Sequence, residues 1–313
     1  MYVYYRVWQI LFSATERLIC AANQRNPLNM KRKLCLSVIA LLIVWQVEAQ
    51  IATPQPSPLG EVSQTVGLTE VTITYSRPGA KGRKIFGGLE AYDKLWRTGA
   101  NMATKFTVSD EVTVEGNTLP EGEYALFTIP GKKEWTVIFN KEVNQSGVNN
   151  YDESQDAARF TVPVQKPGMP FETLTFMFSD LSSNGADVHL VWENTMITFR
   201  VEDPNVDQKV MAQIDEQMGD AGDDPNLYFA AANYFYTADK DINQAQEWID
   251  KAVSLDDSRY WVMHLQAKIH EKNGKYESAL AAAKKSKELA QENGNDAYVK
   301  MNDELITAIN KEM

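Results

Sequence analysis

Apolar positions along this chain change their spacing twice. Residues 34–47 form one apolar stretch, broken only by Ser37 and Gln46. Between Glu61 and Val201 the apolar residues come instead in short β-branched and aromatic stretches, separated by Gly, Pro, Asn and Asp. Nine of these, at 71–75, 105–108, 112–115, 124–130, 135–140, 160–163, 174–178, 188–192 and 196–200, predict strands. Their close turns, among them Glu115-Gly-Asn117, Pro120-Glu-Gly122 and Glu193-Asn-Thr195, predict an antiparallel sandwich or barrel. After Asp203-Pro-Asn205 the spacing becomes helical. Residues 206–218 predict one helix, Gly219 to Pro225 break it, and the chain keeps a helical pattern to Ile309. The expected fold class is α+β with segregated halves: an all-β domain at 61–203, then a helical domain at 206–313.

The helical half repeats itself. Ile242, Ala245, Lys251 and Leu255 recur as Tyr276, Ala279, Lys285 and Leu289, each 34 residues later. With a helix–turn–helix in each unit, this resembles a tetratricopeptide repeat: Phe229 and Met263 match its large residue, Tyr236 and His270 its aromatic position, and Ala245 and Ala279 its small residue. Gly274 falls at the turn between helices. Asn233 and Ala267 replace the motif's glycine, Ser286 its later alanine in the second unit, and Asp257 and Gln291 its closing proline. Two units and a closing helix at 297–309 fall short of the roughly three that a repeat array needs for a continuous core. Packing on 206–218 and on the β domain is expected to supply the rest; the alternative is a plain bundle of five or six helices with accidental periodicity.

The apolar run near the start follows Met30-Lys-Arg-Lys33 and ends in Val47-Glu-Ala49. A basic run, a short apolar stretch and a small residue are the anatomy of a secretory signal peptide, and the stretch is shorter than the roughly 20 residues of a bilayer span. The expectation is a signal peptide at 30–49 cut after Ala49, no transmembrane anchor afterwards, and a periplasmic or secreted product. Residues 1–29 are expected to be an over-extended start, their rival being a genuine cytoplasmic or membrane-surface extension. Residues 50–60, with Pro54, Pro56 and Pro58, form a stiff tether.

Cleavage changes the composition. The full chain has 313 residues, 31 Lys+Arg against 42 Asp+Glu and a charge of −11. Without residues 1–49 it holds 25 against 40, a charge of −15, and loses both cysteines, Cys20 and Cys35. Such acidity argues against nucleic acid as partner, and a cysteine-free chain has neither disulfides nor thiolate chemistry.

Against that background, four cations within eight residues stand out: Arg77, Lys81, Arg83 and Lys84, punctuated by Gly79 and Gly82. Arginine forks and converging backbone N–H groups can hold a carboxylate, sulfate or phosphate. Arg97 and Asn101 add donors close by in sequence. The candidate ligand-binding set is therefore Arg77, Lys81, Arg83, Arg97 and Asn101. The plainer reading is a basic loop that pairs with the acidic excess while Phe86 and Trp96 plug the sandwich.

Tyr75-Ser-Arg-Pro, Lys81-Gly-Arg-Lys-Ile-Phe-Gly, Trp96-Arg-Thr-Gly-Ala-Asn, Pro120-Glu-Gly-Glu-Tyr and Trp135-Thr-Val-Ile-Phe-Asn, in this order, resemble the domain-of-unknown-function 2911 family over about 58–201. The resemblance implies an exported protein of a Gram-negative bacterium, often with tetratricopeptide-like helices following, and implies no reaction. Met102 stands where that family usually has glutamate, and Ser146 where it often has tryptophan before Gly147.

Other chemistry has little support. His189, His264 and His270 make no metal-binding spacing, and nucleotide-loop and serine-hydrolase motifs are lacking, so no metal or cofactor is expected. Asp93 and Glu172 are the carboxylates of interest for acid–base hydrolysis of a polysaccharide, a mechanism that turns on their separation. Three functions compete: a non-enzymatic module that takes an anionic small molecule or glycan in the β domain and a protein or peptide on the helices; an envelope hydrolase or isomerase; and a purely structural module sealed by its Arg–Gly loop.

Overall fold

Alternation in the first half resolves into eleven strands: β1 Leu59–Val66, β2 Thr69–Ser76, β3 Thr104–Val108, β4 Val112–Val114, β5 Asn117–Leu119, β6 Gly122–Ile129, β7 Glu134–Asn140, β8 Asp156–Pro163, β9 Phe171–Ser179, β10 Gly185–Glu193 and β11 Thr195–Glu202. The structure is a computed structural model and describes residues 53–220 and 222–313. The expected signal peptide and residues 1–29 lie outside the described residues.

The strands form two antiparallel sheets, one ordered β1-β2-β3-β6-β7-β8 and the other β5-β4-β11-β10-β9. This is an open sandwich, not a closed barrel. Inward positions of both sheets meet in one apolar layer, where Phe106 of β3 and Phe139 of β7 pack edge-on at 4.8 Å and Phe199 of β11 meets Phe139 at 6.0 Å. Aromatic pairs of this geometry add about 0.5–1.5 kcal/mol each beyond their area burial. The hairpin turns match the sequence signals: Glu115 and Gly116 take φ of +46° and +76° between β4 and β5, and Glu193 takes +54° between β10 and β11.

All nine expected strands are present. The two without an apolar signature, β1 and β5, are the outer strands of their sheets. An edge strand buries one face against one neighbour: in β1, Val62 and Val66 turn inward while Leu59, Glu61, Ser63 and Thr65 are exposed. Outside the six-stranded sheet, Phe127 and Ile138 form a small second layer with Leu95, Val148 and Tyr151.

Six helices follow: α1 Val206–Met218, α2 Pro225–Thr237, α3 Ile242–Leu255, α4 Tyr260–Lys272, α5 Tyr276–Glu292 and α6 Asp296–Glu312. Three of them, α2, α3 and α6, start on side-chain caps. Asp224 accepts from the Asn226 N–H with Pro225 at the first turn, and Asp241 accepts from the Asn243 N–H. The helices pack in succession, with α4 against α3, α5 and α6. Ala245 and Ala279, related by the 34-residue period, are both fully buried and let neighbouring helices approach closely. The result is a helical-repeat-like array.

The array closes differently from expectation. Helix α1 contributes Met211 and Ile214 to the cluster of Phe235, Ile249 and Leu265, but the sandwich's apolar cluster and the helical ones share no residue. The join is polar instead. Asp203, 1% exposed, accepts from the Leu68 N–H (3.2 Å), the Thr69 hydroxyl (2.9 Å), the Asn205 N–H (2.9 Å) and Lys209 Nζ (3.0 Å), and Lys209 reaches on to Asp110 at 2.7 Å. Gly67, at φ +61°, makes room for this: a Cβ there would lie 2.4 Å from Val206 Cγ2.

Candidate functional site

Adjacent antiparallel strands are usually joined by a short hairpin, yet β2 and β3 are joined by residues 77–103. This long connection takes both sheets as its supports. Its first residues run beside β9, with the Leu174 N–H bonded to the Pro78 carbonyl (3.0 Å) and the Ala80 N–H to the Glu172 carbonyl (2.6 Å). Lys81 and Gly82 then turn at positive φ. Further on, Trp96 exchanges backbone bonds of 2.8 and 2.9 Å with Thr128 of β6. The connection thus bridges the five-stranded and six-stranded sheets.

Phe86 is the plug of this end. It lies 4.6 Å from Trp135, 5.8 Å from Trp96 and 6.1 Å from Trp192, ring centre to ring centre, and all four residues are buried. Trp96 Nε1 donates to the Gly99 carbonyl and Trp192 Nε1 to the Glu172 carbonyl, whereas Trp135 Nε1 is buried with no acceptor.

Against this frame the five candidate ligand-binding residues divide. Arg77 donates from Nε to the Leu174 carbonyl (3.2 Å) and from Nη2 to the Thr175 hydroxyl (3.1 Å), tying the loop to β9. Arg83 folds back on its own loop, donating to the carbonyls of Ala80 (3.0 Å) and Gly79 (2.7 Å). Lys81 is exposed, and its backbone N–H donates to the Glu172 carboxylate at 2.7 Å. Asn101 Nδ2 donates to the Ser76 hydroxyl (3.1 Å) and the Ser57 carbonyl (3.4 Å). Arg97 differs from the other arginines. Among the described arginines its guanidinium alone makes neither a hydrogen bond nor an ion pair, and its Nε is buried without an acceptor. The nearby Glu90 carboxyl is pushed above the usual carboxylate range by burial, an effect the Arg97 charge opposes.

The two candidate acid–base residues occupy different settings. Glu172 is engaged by the Lys81 N–H, while Asp93 is exposed on a positive-φ turn whose N–H donates to the Pro130 carbonyl. Met102 and Ser146, the two departures from the family pattern, are direct bridge partners, and the Ala103 N–H donates to the Gln145 carbonyl beside them. Met102 is 48% exposed there.

A polar chain on the outer face of the five-stranded sheet has no linear signature. His189 lies 2.8 Å from the Thr198 hydroxyl through Nδ1 and 2.6 Å from the Ser179 hydroxyl through Nε2, and Ser179 donates to Asp180 at 2.7 Å. With its proton given to Asp180, the Ser179 oxygen accepts from the ring, so His189 acts as a donor here and not as the base of a nucleophilic pair. Strand register alone brings these residues together; His189 pairs with Thr198, and Ser179 is a diagonal neighbour. Among the described residues, no group of three or more His, Cys, Asp or Glu is placed to hold a metal ion.

Residues 57–201 match the model of a family described as a protein of unknown function (DUF2911). No curated protein matches the chain.

Proposed function

Its sandwich makes the chain a member of that family, a membership that carries no reaction, and we propose that it is an exported, non-enzymatic binding module. In this reading the sandwich takes an anionic group through Arg97, and the helical repeat, of tetratricopeptide type, presents a surface to a protein or peptide partner. The observation that carries the first half is the Arg97 guanidinium. A buried donor without an acceptor costs about 1–3 kcal/mol, and more when charged, so an acceptor supplied by a ligand recovers what the fold leaves unmet. Arg77 and Arg83 favour the structural reading for the rest of the loop, because their donors are already used on protein carbonyls and a hydroxyl.

The test is a binding screen against anionic sugars and carboxylate-bearing peptides, using the parent chain, Arg97→Ala and Arg83→Ala. A ligand that Arg97→Ala loses and Arg83→Ala keeps, with both variants folded, supports the assignment. A screen in which every ligand binds Arg97→Ala as tightly as the parent chain removes the anion site and leaves the sandwich a structural base for the helices.

A further inference from the structure

Sheet edges are where a sandwich is exposed to unintended pairing, and three of the four edges here are protected. Strand β5 is three residues long. Strand β8 carries Arg159 and ends on Pro163, and its register with β7 is interrupted at Phe139/Asn140. Strand β9 is covered at its start by residues 78–80 of the long connection. Short edges, proline, charge, irregularity and coverage are the usual devices against edge-to-edge pairing. Strand β1 carries only the charge of Glu61, and its outward-facing residues are exposed. It is eight residues long, pairs with β2 in unbroken register from Leu59↔Ser76 to Val66↔Thr69, and holds no Lys, Arg or Pro.

The register also says which backbone groups are free. The hairpin closes through the two residues Gly67 and Leu68, so Val66↔Thr69 is a hydrogen-bonded pair, as are 64↔71, 62↔73 and 60↔75. The N–H and C=O groups of Leu59, Glu61, Ser63 and Thr65 therefore point away from β2, the Thr65 carbonyl accepting from the exposed Gln64 Nε2 at 3.0 Å.

We propose that β1 pairs antiparallel with β1 of a second copy of this chain about a two-fold axis at Ser63, joining the two six-stranded sheets into one continuous sheet. That register sets residue i opposite residue 126 − i of the second copy. Ser63 then faces Ser63 as a hydrogen-bonded pair, and each Glu61 faces a Thr65, so no like charges are opposed. Inward, Val62 meets Gln64, and Val66 comes opposite Gly60, over which the Arg77 side chain lies. At either end Leu59, 73% exposed, comes opposite Gly67 and beside Leu68, 47% exposed. The two exposed leucines that flank the edge thereby cover one another across the axis. Because the surface is self-complementary, it satisfies the requirement of a closed two-fold dimer. One strand pair with two leucine contacts lies at the small end of specific interfaces, which corresponds to association at about micromolar concentration.

Sedimentation equilibrium of the purified chain between about 1 and 100 µM tests this. The expected result is a reversible monomer–dimer equilibrium. Ser63→Pro removes a free N–H at the axis without touching the β1–β2 ladder and should abolish the dimer while leaving the far-ultraviolet circular dichroism unchanged. Ser63→Lys, which sets two ammonium groups face to face, should do the same should the proline variant not fold. Thr65→Lys, placed opposite Glu61, should tighten the dimer by about two- to thirtyfold over its two symmetric pairs. A chain that stays monomeric at the highest concentration, or a dimer that survives Ser63→Lys, overturns the proposal.

Discussion

Replacing Asp203 by alanine tests the joint between sheets and helices most directly. Its carboxylate, with a fully buried side chain, gathers two backbone N–H groups, one hydroxyl and one ammonium. A neutral hydrogen bond contributes about 1 kcal/mol net, one to a charged group about 1.5–3, and a buried donor left without its acceptor adds its desolvation cost. Thr69, itself fully buried, has no other acceptor within reach once the carboxylate is gone. The loss on Asp203→Ala should be about 3–5 kcal/mol, the range for breaking a buried charge pair from one side. Asp203→Asn should lose less, because the amide oxygen keeps one acceptor. Urea unfolding followed by circular dichroism and tryptophan fluorescence measures both.

Acidity gives a second reading of the same site. Burial acts to raise the Asp203 carboxyl, but the Asn205 N–H, Lys209, Thr69 and the Leu68 N–H together hold it below the ordinary aspartate range. A carboxyl lowered in the folded state stabilises that state above its unfolded pKa, near 3.8, and the contribution disappears as pH falls through the lower folded value. The parent chain should therefore lose stability more steeply below about pH 4 than Asp203→Ala does. A loss under about 1 kcal/mol at neutral pH, or equal acid slopes in the two proteins, refutes the clamp.

Three further outcomes follow from single contacts. Arg77→Ala should lower stability by about 1–3 kcal/mol, since its donors tie the loop to the Leu174 carbonyl and Thr175 of β9, while Arg83→Ala, whose bonds stay within its own loop and are exposed at Gly79, should cost under about 1 kcal/mol; thermal melts giving equal losses contradict the division between them. Gly67→Ala combines a positive φ with a clash against Val206 and Asp203, and should destabilise by more than the roughly 1 kcal/mol of a strained turn alone, with faster proteolytic cutting near Asp203–Val206 as the check. His264 is buried and its pKa is lowered by desolvation, against the opposing bond to Asn302, so the folded state holds it neutral. Stability of the helical half should fall as pH drops below about 6.5, where the unfolded chain gains a proton, and His264→Gln should flatten that dependence in unfolding scans.

What could be read from the sequence depended on how many sides of an element are buried. Central strands such as β6 and β10 bury most of their length and show near-continuous apolar runs, so they were legible. Strand β1 needs only Val62 and Val66 to hold its place, and the polar alternation of Leu-Gly-Glu-Val-Ser-Gln-Thr-Val resembles a loop. The helices were legible through period and small residues, because Ala245 and Ala279 pack among helices that follow one another in the chain. The site was not, because its contacts are long-range. The cluster from Arg77 to Lys84 reads as four free charges, yet whether a guanidinium is free depends on the carbonyl of Leu174, 97 residues away, and on a turn that returns Arg83 to Gly79 and Ala80. Local cation density therefore marked the connection but not which of its cations the fold pairs with its own acceptors. In a chain of this acidity, the informative quantity is the number of cations left after the fold has used its own acceptors. Among the described arginines that remainder is Arg97, which lies outside the cluster in sequence.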